Sequence, residues 1–376
     1  MRVGCVRSAA VSLLVVLAAF PAPGQAPGSA RVPDRSRATP RLFNDVLGHS
    51  VEWARPPERI VSLSPNVTEI LFAIECGEHV VGVTRFCNHP PETSGLPRVG
   101  GVVDPSLEAV IELSPELVLA TRGNSLEFIE SLMELGIPVF ALDSRGNLEQ
   151  ILIMIGEIGS VTGHSREAGA LVRRLREKRM EVLRRTRDLP ALARPRVYYG
   201  ELEGSLWTAG PGSYIDALIT DAGGWNVAAG APRAWCAVSV ESVVMQDPEV
   251  YLGTYGRGGP GVGIGVGETW DAREVADSES IALADTSDAS APGPGAGARP
   301  ARSDSAGPAA SPAASPEKAE AAVRDLLLLH PVWSETTLGK NPRVFLVDED
   351  RLLRPGPRVF DVLEEFSRFL HPGSWK

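Results

Sequence analysis

The stretch SREAGALVRRLREKRMEVLRRTRDL, residues 165–189, decides how this chain is read. Leu171, Val172, Leu175, Met180 and Leu183 recur at helical spacing, and most of the remainder is Arg, Lys and Glu. Ser165 is placed to cap the start, and Pro190 and Pro195 close the end. So thin an apolar stripe predicts a long helix that other elements cover only in part. The segments on either side look like two versions of one unit, so the helix is expected to be a rigid strut between two lobes.

The equivalence is visible residue by residue. SLEAVIELSPELVLA (106–120) aligns without a gap with SVESVVMQDPEVYLG (239–253), an offset of 133 residues from Ser106 to Ser239. Glu108 matches Glu241, and Pro115 and Glu116 match Pro248 and Glu249. Each copy reads as a short helix, a Pro-containing turn and a buried strand. The period is far too long for a solenoid.

A chain of 376 residues has room for two ordinary domains, and 43% apolar residues support a real core. A net charge of −10 argues against nucleic acid as a partner, because phosphate binding needs a basic surface. Arg2 and Arg7 precede the apolar run VSLLVVLAAF (11–20), and small residues follow near Ala26. This pattern predicts a secretory signal over 1–26, cleaved near Ala26, with export to the periplasm. No cysteine is placed for lipid attachment after the run. Removing Cys5 with the signal leaves Cys76, Cys87 and Cys236, which allow one disulfide and a free thiol or three free thiols.

Residues 27–40 read as a flexible lead-in, 41–146 as an N-terminal α/β lobe, and 147–190 as connecting helices that include the strut. Residues 191–376 read as a C-terminal α/β lobe. In the first lobe, RLFNDVLGHSVEWA (41–54) predicts a hairpin turning at Leu47–His49. Ile60–Leu63 is a strand, followed by a helix capped by Asn66 or Thr68 and stopped at Gly77, and then the strand HVVGVT. Strand, helix, strand implies a parallel unit that binds ligand at the C-terminal ends of its strands. LWTAGPGSYIDALITDAGGWNVAA (206–229) predicts a second strand, turn and helix of the same kind. Residues 256–316 are rich in Gly, Ala, Ser, Pro and Asp, and are expected to be a disordered insertion. GRGGPG (256–261) matches a dinucleotide fingerprint in form, but no helix is signalled after it.

No phosphate loop, nucleophile elbow or H-E-x-x-H motif is present, and no catalytic constellation emerges, so a non-enzymatic role is expected, with an exported enzyme on the same lobes as the alternative. Cys87 and His89 form a C-x-H pair on a loop at a strand's C-terminal end, a candidate metal contact. Phe86, Trp207, Trp235 and Trp225 fall in or beside loops at predicted strand ends, where aromatic faces would grip a large flat ligand. Glu108 and Glu241 open equivalent helices. Their position suits the helix dipole, and it would also present one acidic knob per lobe to a two-fold partner.

With LGHSVEWARPPERIVSLSPNVTEILFAI, VVGVTRFCNHPPE, the duplicated segment, the long helix and WCAVSVESVV on the page, the chain resembles the helical-backbone class of bacterial periplasmic binding proteins. That class serves ABC importers of vitamin B12, haem and ferric siderophores. The resemblance covers roughly 41–255 and 317–370, and is greatest to the cobalamin-binding members. It implies two Rossmann-like lobes joined by one helix, with a ligand cleft between them and Glu108 and Glu241 docking on the importer's membrane subunits. It implies a cobalamin pocket of Pro65, Phe86, Trp207, Trp235, Asp350 and Arg354. The transported ligand is expected to be cobalamin, alternatively haem or a ferric siderophore, with Cys87 and His89 as axial contacts in the haem case; no resident cofactor is expected. A monomer is expected. Phe86 stands where the family has tyrosine, His89 where it has a second aromatic, and Val102 where it has tryptophan.

Overall fold

Alternation along the strands explains the architecture. Ile60, Leu117, Leu119, Val197, Val250 and Leu252 join one buried cluster, while Val61, Val118, Tyr198 and Tyr251 face the other way into two separate ones. Both faces of each sheet are therefore covered, as parallel sheets require. The structure, a computed structural model, describes residues 40–203, 206–256 and 315–376. The expected signal and lead-in up to Thr39, and residues 257–314 of the expected insertion, lie outside the described residues.

The first lobe opens with the hairpin β1 (Arg41–Asn44) and β2 (Ser50–Trp53), paired in register around the expected turn. β3 (Ile60–Ser62), α1 (Pro65–Ala73), β4 (Val80–Val83), α2 (Leu107–Glu112), β5 (Leu117–Thr121), α3 (Leu126–Glu134) and β6 (Val139–Leu142) follow. Their sheet is parallel, in the order β4-β3-β5-β6. The hairpin is tied to the β6 edge, where the Asp45 carboxylate accepts from the Ala141 amide at 3.0 Å.

α4 (Leu148–Val161) and α5 (Ser165–Thr186) connect the lobes. The second lobe contains β7 (Arg196–Tyr199), β8 (Leu206–Ala209), α6 (Tyr214–Asp221), β9 (Trp225–Asn226), β10 (Trp235–Val238), α7 (Val240–Met245) and β11 (Val250–Tyr255). After the undescribed stretch come α8 (Pro316–Leu329), α9 (Thr337–Lys340), β12 (Arg343–Asp348), α10 (Glu349–Leu352) and α11 (Val359–Leu370). Its parallel sheet runs β9-β7-β11-β12, the same order as the first.

The duplication extends to the wiring. Arg59 Nε donates to the Leu113 and Ser114 carbonyls at 3.1 and 3.2 Å, and Arg196 Nε donates to the Asp247 carbonyl at 2.6 Å. The Glu116 and Glu249 amides return bonds to the carbonyls of Arg59 and Arg196, both at 2.8 Å. Ser114 and Asp247 both sit at φ 45°, a left-handed turn that ends the short helix and aims the next strand.

Four expectations need correction. Ser165 does not cap α5; His164 holds that position and the Ser165 hydroxyl donates to the Gly159 carbonyl at 3.4 Å. Met180 is 46% exposed, and Ala168, Leu171, Leu175, Val182 and Thr186 form the buried line instead. A thin stripe leaves the rotation of a helix ambiguous, and packing against α4 and α11 resolves it. α1 begins one residue after Ser64 with Pro65 in its first turn, and ends before Gly77. β8 does not join the main sheet. The chain folds back at Gly200, which has φ 146°, and β8 pairs antiparallel with β10.

The largest buried cluster runs without a break from β3 and β5 through Ile155, Leu171 and Val182 to Val197 and Phe366. α5 is thus one side of a continuous core as well as a strut.

Candidate functional site

The two lobes meet through a charged network at the C-terminal ends of the strands. Asp350 in α10 and Arg354 just beyond it are paired at 2.5 Å. Arg354 Nη1 reaches Glu69 of α1 at 3.2 Å, and its Nη2 donates to the Phe86 carbonyl at 3.0 Å. Arg358 grips the same Glu69 carboxylate with Nε at 2.8 Å and Nη2 at 2.5 Å. Asn88, on the loop after β4, bridges Asp350 and Arg354 at 2.6 and 2.7 Å. The Asn66 side chain adds a bond to the Pro355 carbonyl at 3.3 Å. Two carboxylates and two guanidinium groups leave the network neutral, which is what burial of charge demands. The structure thus brings together Phe86, Asp350 and Arg354. The 86–88 loop and the 350–354 segment are 262 or more residues apart in the Asn88–Asp350 bond and its neighbours.

Trp207 and Trp235 come together on the β8–β10 ribbon. Trp207 opposes Ala237 and Trp235 opposes Ala209, so the two indoles are diagonal neighbours on one face. Trp235 packs on Tyr199 and Tyr214, with ring centroids 6.4 and 6.0 Å away. The Tyr214 hydroxyl donates to the Leu352 carbonyl at 3.0 Å, which ties the ribbon to the segment carrying Asp350 and Arg354. The Trp207 indole nitrogen is buried and has no acceptor among the described residues. Phe86 is half-buried under the Arg85 guanidinium, 4.8 Å from the ring centroid.

Pro65 is buried at the first turn of α1, where its missing N–H costs nothing, and offers no open face in this arrangement. Val102 is buried, and its carbonyl accepts from Asn124, so it provides no platform. Trp225 is 50% exposed on β9, which pairs with β7 and is not a strand of the β8–β10 ribbon.

The C-x-H pair separates. Cys87 is buried, and its thiol lies 3.2 and 3.1 Å from the Thr68 and Thr84 hydroxyls. Burial pushes the thiol's pKa up, which disfavours the thiolate that a metal needs. Cys87 therefore offers no open face to a ligand in this geometry. His89 is exposed and borders a recess of about 300 Å³ with Glu69, Phe72, Pro90, Pro357 and Arg358. Neither ribbon tryptophan lines that recess. Among the described residues no cluster of three His, Cys, Asp or Glu side chains could hold a metal ion, and Cys76, Cys87 and Cys236 are all free thiols.

Glu108 and Glu241 are exposed in the first turns of α2 and α7, each two residues after a serine that caps the helix. Backbone and Ser239 hydrogen bonds hold the Glu241 carboxyl below the usual range, so it is charged at neutral pH.

Sequence reasoning missed Glu69, Asn88 and Arg358 as site residues. Glu69 stands inside the quoted opening motif and Arg358 beside Pro357, but local spacing gives no reason to join them.

Comparison with known proteins agrees with this architecture. The family model described as periplasmic binding protein matches residues 60–269. A cobalamin-binding protein of Halobacterium salinarum is 31% identical over 223 residues, 58% of this chain and 60% of that protein. The chain thus aligns with about 60% of the length of that relative. The apo periplasmic heme-binding protein of Roseiflexus sp. RS-1 superposes with TM-score 0.60 at 23% identity, covering 84% of this chain and 99% of that one. The periplasmic vitamin B12-binding protein of Vibrio cholerae superposes with TM-score 0.54 at 21% identity, covering 85% and 99%. These two likenesses establish the shared fold. With over half its length matched by the family model, and with two parallel lobes in the same strand order joined by one long helix, the chain belongs to the periplasmic binding protein family.

Proposed function

We propose that this protein is exported to the periplasm, captures a corrinoid of the cobalamin type between its lobes, and delivers it to the membrane subunits of an ABC importer. The observation that carries the reading is the convergence of Asp350 and Arg354 on the Phe86–Asn88 loop, with two indoles on one face of the adjoining ribbon. A flat macrocycle with a polar rim asks for that combination of aromatic faces and fixed polar groups. The cobalamin-binding name of the Halobacterium salinarum relative supports the same ligand class. Pro65 serves as a helix start behind the site, and Phe86, Trp207, Trp235, Asp350 and Arg354 supply the contacts. The role requires no bond to be made or broken in the ligand.

The unbroken core through α4 and α5 resists wide hinge opening, so binding involves small movements of the lobes. Glu108 and Glu241 then present one carboxylate per lobe to basic groups of the importer. Exposed pairs of this kind are worth about 0–1 kcal/mol each, which sets register more than affinity.

Calorimetric titration of the chain without its expected leader tests the reading, with cyanocobalamin as ligand and haemin as comparison. One-to-one cyanocobalamin binding is expected. Trp207→Ala and Trp235→Ala should each weaken it about tenfold, equivalent to about 1.4 kcal/mol. Tight haemin binding without cobalamin binding would transfer the site to haem, and unchanged affinity in both tryptophan variants would move the ligand elsewhere.

A further inference from the structure

The exposed half of the interlobe network is held by a carboxamide. Asn88 Nδ2 donates to Asp350 Oδ2 at 2.6 Å, and Asn88 Oδ1 accepts from Arg354 Nη1 at 2.7 Å. Chemistry permits only this orientation of the amide, because a carboxylate cannot donate and a guanidinium cannot accept. Asp350 and Arg354 lie one helical turn apart and are paired with each other. Together they form a two-point receptor for a primary amide, with the carboxylate taking the N–H and the guanidinium taking the carbonyl.

The two halves of the network differ in how readily they exchange. Glu69 is 3% exposed, and it pairs with both Arg354 and Arg358. Removing one partner of such a buried pair leaves a charge uncompensated and is strongly destabilising. Asn88 is exposed, so water and other polar groups can compete for its two bonds. Replacing its amide by another amide restores the same bonds. The outer partner is therefore the one that a ligand can displace, while Glu69 keeps the receptor in place.

We propose that Asn88 occupies the Asp350–Arg354 pair in the empty protein as an internal competitor, and that the ligand binds there by displacing Asn88 with a primary amide of its own. This rests on the corrinoid reading and deepens it, since it names the group recognised and an internal competitor. A carboxylate of the same shape would meet the Asp350 carboxylate with like charge and would lack the N–H that Asp350 accepts. The site thus selects amide over acid, and a corrinoid rim of primary amides over a macrocycle bearing propionates.

The test compares cyanocobalamin with its monocarboxylic acids, in each of which one peripheral acetamide or propionamide is hydrolysed, on wild type, Asn88→Ala and Asn88→Ser. Removing the competitor should tighten cyanocobalamin binding about three- to tenfold, because apparent affinity scales with the fraction of receptor that is free. At least one monocarboxylic acid should bind wild type tenfold or more weakly than the parent at pH 7. Binding of every one of these acids as tightly as the parent overturns the inference, and this arm needs no variant to fold. Unchanged or weaker cyanocobalamin binding by both folded Asn88 variants also overturns it. If wild type binds no corrinoid at all, the functional reading fails as well, which separates that failure from the others.

Discussion

Arg358 clasps Glu69 across the lobes, Nε to Oε2 at 2.8 Å and Nη2 to Oε1 at 2.5 Å, from positions 289 residues apart. The Glu69 carboxylate is almost wholly removed from water and shared with Arg354, so it has no cheap alternative partner. Glu69→Gln should destabilise the protein by about 3 kcal/mol, since it leaves the Arg358 guanidinium without its counter-charge and Arg354 with Asp350 alone. Urea denaturation checks this, and an unchanged midpoint would show that the clasp is dispensable. Arg358→Lys should lose part of the same stability, because an ammonium cannot reproduce the two-atom grip.

Glu108 and Glu241 lie outside the network and are open to solvent. Replacing both with alanine should leave corrinoid affinity unchanged and reduce importer-dependent uptake. Transport assays in reconstituted vesicles provide the measurement, and full uptake by the double variant would remove the docking role.

The three described thiols should differ in reactivity. Burial pushes the Cys76 thiol up to about 12 and raises Cys87, whereas Cys236 is half-buried on the β8–β10 ribbon. In the chain without its expected leader, native protein at pH 8 should release about one equivalent of chromophore from Ellman's reagent quickly. Urea-unfolded protein should release three. Rapid reaction of all three in the native state would contradict the burial of Cys76 and Cys87.

The acid limb of stability should reflect the turn after each repeated helix. The Thr337 amide holds the Asp247 carboxyl below its usual range, with Arg196 assisting, and the Glu58 amide does the same for Glu116, with Arg55 assisting. A carboxyl depressed on folding contributes stability above its unfolded value, near 4. It loses that contribution as pH falls through its lower folded value. Asp247→Asn keeps a residue tolerant of the left-handed backbone and removes the charge. The variant should melt below wild type at pH 7, and the difference should shrink towards pH 2–3. A gap independent of pH would assign the loss to shape.

The repeated segments were legible because their signals are local. Serine caps, a two-residue step to glutamate and a Pro-Glu turn recur at 106–116 and 239–249, and the structure repeats even the φ of 45° at Ser114 and Asp247. Phe86, Trp207, Trp235, Asp350 and Arg354 were named because each stands in a recognisable stretch. The Glu69 and Asn88 partnerships were not legible. Residues 66–69 read equally well as the first turn of any buried helix, and nothing in their neighbourhood signals a partner near residue 354. The antiparallel course of β8 was hidden for a related reason: an apolar run specifies a strand and leaves its neighbour open.

The internal duplication, the strand–helix–strand order and the helical periodicity of 165–189 pointed to two α/β lobes, a long helix between them, and a glutamate opening each repeated helix. These follow from which side chains must leave water within a few residues of one another. Tertiary structure alone decided which line of α5 is buried, that Cys87 is sealed from the site, and that Glu69 and Asn88 both accept from Arg354. Those outcomes depend on the desolvation of charges and thiols brought together from distant parts of the chain, and that energy exists only once the lobes have packed.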